Sequence, residues 1–252
     1  MSNYDRNTGF GANVARKATA EIDQGLRAYM LGVYNYMTLG LGVTGLVALG
    51  AQMLAVTHNA AGHLALTPFG QAIYTSPLRW VIILAPLGFV FFLSARANTM
   101  SVSTARTLFL AFAALIGLSM SFLLMVYTGG SIARVFFITA GAFGGLSLYG
   151  YTTQRSLSAM GSFLIMGVWG LVIAGVVNIF LQSSSVQFGL SILAVLIFSG
   201  LTAWDTQSIK DQYYEGDGYE VAQKKSIFGA LSLYLDFINM FQSLLYLFGD
   251  RR

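Results

Sequence analysis

The chain has 252 residues, 56% of them apolar and only 10% charged, with a mean hydropathy of +0.66. A soluble domain carries about 25% charged residues, so these proportions exclude a water-soluble globule and leave a chain dissolved in lipid, with room for roughly six to eight spans of about 20 residues. The net charge of +4 comes from Lys and Arg at the ends of apolar runs, a topology pattern and not a nucleic-acid footprint, and the lack of cysteine excludes disulfides and thiolate metal sites.

The first stretch, MSNYDRNTGFGANVARKATAEIDQG, has no apolar signal segment. It is expected to be a flexible cytoplasmic tail over residues 1–25 with a short amphipathic approach to the membrane. Residues 26–252 are then one transmembrane domain. Seven apolar runs follow, at about 29–56, 78–97, 104–128, 131–152, 158–182, 187–209 and 226–248. The loop 57–77 contains Gly62, Pro68, Gly70 and Pro77 and reads as a non-helical connection. Residues 210–225, KDQYYEGDGYEVAQKK, form the one strongly polar loop, and no internal repeat is visible. The fold class expected is an all-α membrane protein, a bundle of seven transmembrane helices. Small residues in LGLGVTGLVALG, in AGAFGGLSLYG and at Gly161, Gly167, Gly170 and Gly175 are read as close-packing positions.

Arg6, Arg16, Lys17 and Arg27 precede the first run, and Arg96, Arg106, Arg155, Lys210, Lys224 and Lys225 lie in alternate connections. Arg79 and Arg134 fall on the other side. The positive-inside rule therefore puts the N-terminus in the cytoplasm. Run seven is long enough to cross, although Arg251 and Arg252 would suit a re-entrant segment slightly better.

The chain has ten acidic residues. Only Asp205, in LTAWDTQSIK, and Asp236, in SLYLDFINMF, lie within apolar runs, and no Asp or Glu occurs from residue 25 to residue 204. Ionisable groups in a span face the bundle interior and mark functional sites by default. Run six ends near Asp205 on the side where run seven begins, so the two carboxyls can meet if the helices tilt or the last helix enters late. Two carboxylates in hydrogen-bond reach cannot both ionise cheaply, so such a pair shares a proton. Losing that proton turns a hydrogen bond into repulsion. Arg96, and next Arg106, are the candidate cation partners on that side of the membrane. His58 and His63 fall in an outer loop with no carboxylate nearby, so no metal site is expected.

LSLYLDFINMFQSLLYLFG resembles the C-terminal signature of the Bax inhibitor-1 family, and LIFSGLTAWDTQSIK resembles the sixth helix of that family. SARANTMSVSTARTLFLAFAALIGLSMS and SLYGYTTQRSLSAMGSFLIMG resemble its second-to-third and fourth-to-fifth connections, and VNIFL the end of its fifth helix. The likeness runs in order over about residues 25–250. It implies six helices around a central seventh, and a pH-sensitive cation leak, chiefly of calcium, gated by a two-aspartate sensor. Those aspartates correspond to Asp205 and Asp236, and a helix-two arginine partner corresponds to Arg96. Trp204 stands where the family usually has Tyr, Ser156 where an Asp is common, and Tyr246 where an Arg is common. The short tails resemble bacterial members, which implies the bacterial inner membrane. The expected partners are the bilayer, protons and calcium or other cations, together with other membrane proteins; nucleic acid, cofactors and enzymatic activity are not expected.

Other readings compete. An intramembrane aspartyl protease also needs two membrane aspartates, but Asp236 lacks a preceding Gly-x-Gly turn. A regulatory protein that binds a membrane protease or another membrane partner would use the aspartate pair as a structural latch. A proton-coupled transporter is a third reading, with no solute named by the sequence.

Overall fold

The computed structural model describes residues 4–58, 64–96 and 99–252, with side chains from Gln24 onward apart from 58–64 and Ser94. Nine helices and one hairpin are present among them: α1 (Tyr4–Ala55), β1 (Val56–His58), β2 (Leu64–Leu66), α2 (Pro68–Tyr74), α3 (Leu78–Arg96), α4 (Val102–Met120), α5 (Leu123–Val126), α6 (Gly129–Thr152), α7 (Ser158–Leu181), α8 (Ser184–Asp211) and α9 (Tyr219–Phe248). Six helices are long and apolar enough to cross a membrane, and the pair α2 and α3, bent by 57°, makes a seventh span if taken together. This is an integral membrane protein with an all-helical transmembrane bundle.

Two expectations about the chain's ends and loops are corrected. Residues 4–25 are helical backbone continuous with the first span, because that stretch is rich in good helix formers and has no proline. The 57–77 connection is not irregular. It holds the antiparallel pair β1–β2 and the short helix α2, which Thr67 caps by accepting from Gly70 N–H, with Pro68 in its first turn. His63 and the side chain of His58 lie outside the described residues.

The last helix is the core of the bundle. More than half (56%) of the most apolar window of α9 is buried, against 11% for α7. It packs against α8, α1, α6 and α4. Tyr234, Leu233, Met240 and Leu245 are fully enclosed, and Phe109 and Phe112 of α4 meet the Tyr234 ring edge to face. In lipid, apolar burial supplies little drive between helices, so this fit works through dispersion contacts and interhelical hydrogen bonds. Tyr234 Oη and Thr44 Oγ1 are 2.6 Å apart, and Thr44 also donates to the Ala113 carbonyl at 2.9 Å, tying α9, α1 and α4 together.

α9 is one unbroken helix of 30 residues, about 45 Å long. Its C-terminal strap bonds to the far end of the bundle: Thr128 N–H donates to Asp250 O, Asp250 N–H to Ser131 Oγ and Arg252 N–H to Val126 O. Arg251 stacks over the rings of Tyr127 and Tyr246. The seventh apolar run is therefore a single helix long enough to cross a membrane. Tyr246 closes the terminus by this cation–π contact, where an arginine there would have repelled Arg251.

The reading that nearly all the span glycines serve close packing is also corrected. Gly40, Gly117, Gly150, Gly161 and Gly167 sit directly against a neighbouring helix, whereas Gly42, Gly45, Gly50, Gly141, Gly144, Gly145, Gly170 and Gly175 have no atom within 4 Å of where a Cβ would stand. The second group faces lipid or an open groove. Sequence shows the small residue but not the direction in which it points.

Candidate functional site

Along α8, Thr202, Asp205, Thr206, Gln207 and Lys210 crowd the last three turns. Thr202 Oγ1 donates to Phe198 O of its own helix, while Thr206, Gln207 and Lys210 are committed to α6 and the connection that follows it. Thr206 Oγ1 lies 2.9 Å from Ser147 Oγ, which in turn lies 2.6 Å from Tyr34 Oη, so α1, α6 and α8 share one polar chain. Gln207 donates to Arg155 O at 2.9 Å and accepts from Leu157 N–H at 2.8 Å, which fixes the α6–α7 connection. Lys210 donates to Tyr151 O at 2.9 Å. These bonds clamp one side of α8 and leave the carboxyl of Asp205 to α9.

There it meets Asp236. The two carboxyls are neighbours, close enough to act on each other's charge. Asp236 is only 4% exposed, and its Oδ2 is buried without a hydrogen-bond partner. Asp205 is half-buried. The depths match because α9 begins early: its first two turns, Tyr219–Lys225, are polar, so Asp236 lies about 16 Å past Lys225 and Asp205 about 9 Å before the end of α8.

The cations are elsewhere. Among the described residues, the ion pairs are Arg134–Asp250 at 2.8 Å and Lys225–Asp217. Arg96 is exposed on the last turn of α3. Arg106 donates to Tyr36 Oη at 2.6 Å and stacks over that ring, and Tyr36 donates to Gln223 Oε1 at 3.1 Å. Among the described residues, neither arginine forms an ion pair with either aspartate: Tyr36 intercepts Arg106, and Arg96 stands on a helix that packs mainly against α2 and α4. Sequence reading missed Tyr34, Ser147, Thr206 and Gln207. The run Asp205–Thr206–Gln207 was their one signal, since three consecutive polar residues in a span must face different neighbours.

No group of three or more His, Asp or Glu side chains that could hold a metal ion occurs among the described residues.

Residues 26–252 match the family described as "Inhibitor of apoptosis-promoting Bax1". An uncharacterized protein of Rickettsia prowazekii is 45% identical over 91% of this chain and 92% of its own length. One from Caulobacter vibrioides is 43% identical over 98% and 99%. The inner membrane protein YbhL of Escherichia coli is 42% identical over 90% of this chain and 94% of its own. With a profile match over nearly the whole chain and full-length relatives at this identity, the chain belongs to the Bax inhibitor-1 family.

Proposed function

We propose that this protein is a proton-gated cation leak, with calcium as its principal ion, and that the Asp205–Asp236 pair is the gate. The observation that carries the reading is the contact between two carboxyls, one of them wholly enclosed, on the two most intimately packed helices of the bundle. The charged groups on the surrounding elements are engaged or remote: Lys210 on Tyr151, Lys225 on Asp217, Arg106 on Tyr36, Arg134 on Asp250, with Arg27 at the mouth of the groove between α1 and α6. Among the described residues, no cation forms an ion pair with either aspartate to offset a second negative charge. Removing the shared proton places two unit charges in contact, worth about 4 kcal/mol of repulsion at about 4 Å and an effective dielectric of about 20. That is enough to carry an equilibrium of 1:99 to roughly 9:1 in favour of separated helices. The leak therefore rises as the pH is raised through loss of that proton. The designation of the E. coli relative supports placement in the bacterial inner membrane, with the Lys- and Arg-rich end of the bundle in the cytoplasm.

The test is calcium flux in proteoliposomes across a pH series, for the native protein and for Asp205→Asn and Asp236→Asn. Either substitution removes one of the two charges, so both variants should lose the pH dependence. Unchanged pH dependence in both would sink the gate. Absence of any proton-dependent flux from correctly inserted protein would favour the regulatory reading, in which the pair is a latch for a membrane partner.

A further inference from the structure

Asp205 has a second alignment on α8. Gln187 stands eighteen residues before it, which is five full helical turns, so both lie on one face of the helix. Ser191, Ala194 and Phe198 continue that face between them. On α9, Asn239 and Ser243 follow Asp236 at three and seven residues and share its face. These two faces, with Val168, Leu171, Val172 and Gly175 of α7, line an open cleft of about 250 Å³. It lies beyond the aspartate pair, toward the end of the bundle where Ser183 opens α8.

Nearly half of the cleft's lining is polar although it sits among apolar spans. Ser191 Oγ donates to Gln187 O at 2.9 Å, Ser243 Oγ donates to Asn239 O at 2.8 Å, and Asn239 Nδ2 donates to Leu235 O at 2.8 Å. Both hydroxyl donors and one N–H of Asn239 are thus spent on their own helices. That leaves lone pairs on three oxygens, Ser191 Oγ, Ser243 Oγ and Asn239 Oδ1, facing the cleft beside the second N–H of Asn239 and the Gln187 amide nitrogen. Gln187 is held by Asn178, whose Nδ2 lies 3.2 Å from Gln187 Oε1, and Asn178 Oδ1 in turn accepts from Ser183 N–H. A space of this size lined by such polar groups holds several waters. It suits hard, oxygen-seeking cations that keep part of their hydration shell.

We infer that this cleft between α7, α8 and α9 is the hydrated vestibule through which a cation reaches the aspartate pair, with Ser191, Asn239 and Ser243 as its oxygen lining and Phe198 as its inner seal. The inference rests on the leak reading for its ion, but the hydration of the cleft stands independently of it. Phe198 is the last α8 side chain of the lining before Thr202 and Asp205, and it is partly buried against the core.

The absence of native cysteine makes the test direct. Single variants Ser191→Cys, Asn239→Cys and Ser243→Cys are reconstituted beside Leu193→Cys and Leu196→Cys, whose side chains on α8 are exposed toward lipid. A membrane-impermeant cationic thiosulfonate is applied from one side and then the other. The cleft cysteines should react at least tenfold faster than the lipid-facing ones, from the side opposite the Asp217 loop, and their modification should cut calcium flux several-fold. Phe198→Ala should raise flux several-fold while leaving the Ser243→Cys labelling rate high. Cleft cysteines that react no faster than the controls would overturn the vestibule. Fast labelling with undiminished flux would take it off the ion's route and also overturn the inference. A protein with no leak at all sinks the function reading, and the labelling rates alone then decide whether the cleft is hydrated.

Discussion

Gly150→Ala is the sharpest probe of how the aspartate-bearing helix is held. The glycine lies on α6 where it crosses α8. An added Cβ would stand 2.9 Å from the Ala203 carbonyl carbon and 3.0 Å from its Cα, and closer still to its carbonyl oxygen. These are backbone atoms and cannot swing aside. Relief to ordinary contact at 3.4 Å is set by the carbonyl oxygen, the nearest atom, and requires the helices to part by more than about an ångström. Ser147 and Thr206, each three residues from this crossing, are 2.9 Å apart, so the same movement breaks their hydrogen bond. Overpacking costs about 1–3 kcal/mol, the interhelical hydrogen bond about 0.6, and the better helix propensity of alanine returns about 0.8–1.0. The expected net loss is about 1–3 kcal/mol. Gly145→Ala on the same helix meets nothing within 4 Å and should be neutral or stabilising by up to about 1 kcal/mol. Unfolding of the two purified variants in bicelles, followed by circular dichroism against denaturant, measures the difference. Equal stability of Gly150→Ala and Gly145→Ala would refute the claim that the α6–α8 crossing is set by backbone contact.

Further outcomes follow from the polar links. Tyr234→Phe removes one hydrogen bond but leaves Thr44 bonded to Ala113 O, so it should cost about 1 kcal/mol; Thr44→Val strands the buried Tyr234 hydroxyl and should cost more, about 1–3 kcal/mol. The order of the two in an unfolding assay checks this asymmetry. Gln207→Leu leaves the Leu157 N–H and the Arg155 carbonyl without their partner, and hydrogen exchange at Leu157 should rise at least tenfold. Arg134→Ala breaks a pair that is 61% exposed on both sides, so it should shift stability by less than about 1 kcal/mol, with the effect vanishing in high salt.

The spans were legible because their signal is local: twenty apolar residues in lipid must form a helix to satisfy the backbone. Loop 57–77 was not, since Gly and Pro announce a break without saying that Val56–His58 will pair with Leu64–Leu66. Asp205 and Asp236 stood out by isolation in an apolar chain. Arg96 and Arg106 drew attention only by their side of the membrane, which says nothing of a competitor such as Tyr36.

Composition and hydropathy alone determined that this is a membrane bundle, how many runs can cross, and which two carboxyls lie within apolar runs, because burying a charge in lipid is costly wherever it occurs along the chain. Which groups meet was decided only by the tertiary structure. The contact of Asp205 with Asp236, the bond from Ser147 to Thr206 and the alignment of Ser191 with Ser243 depend on the rotation and stagger of one helix against another. Those are fixed by side chains far apart in sequence, such as Gly150 on Ala203 and Tyr234 on Thr44.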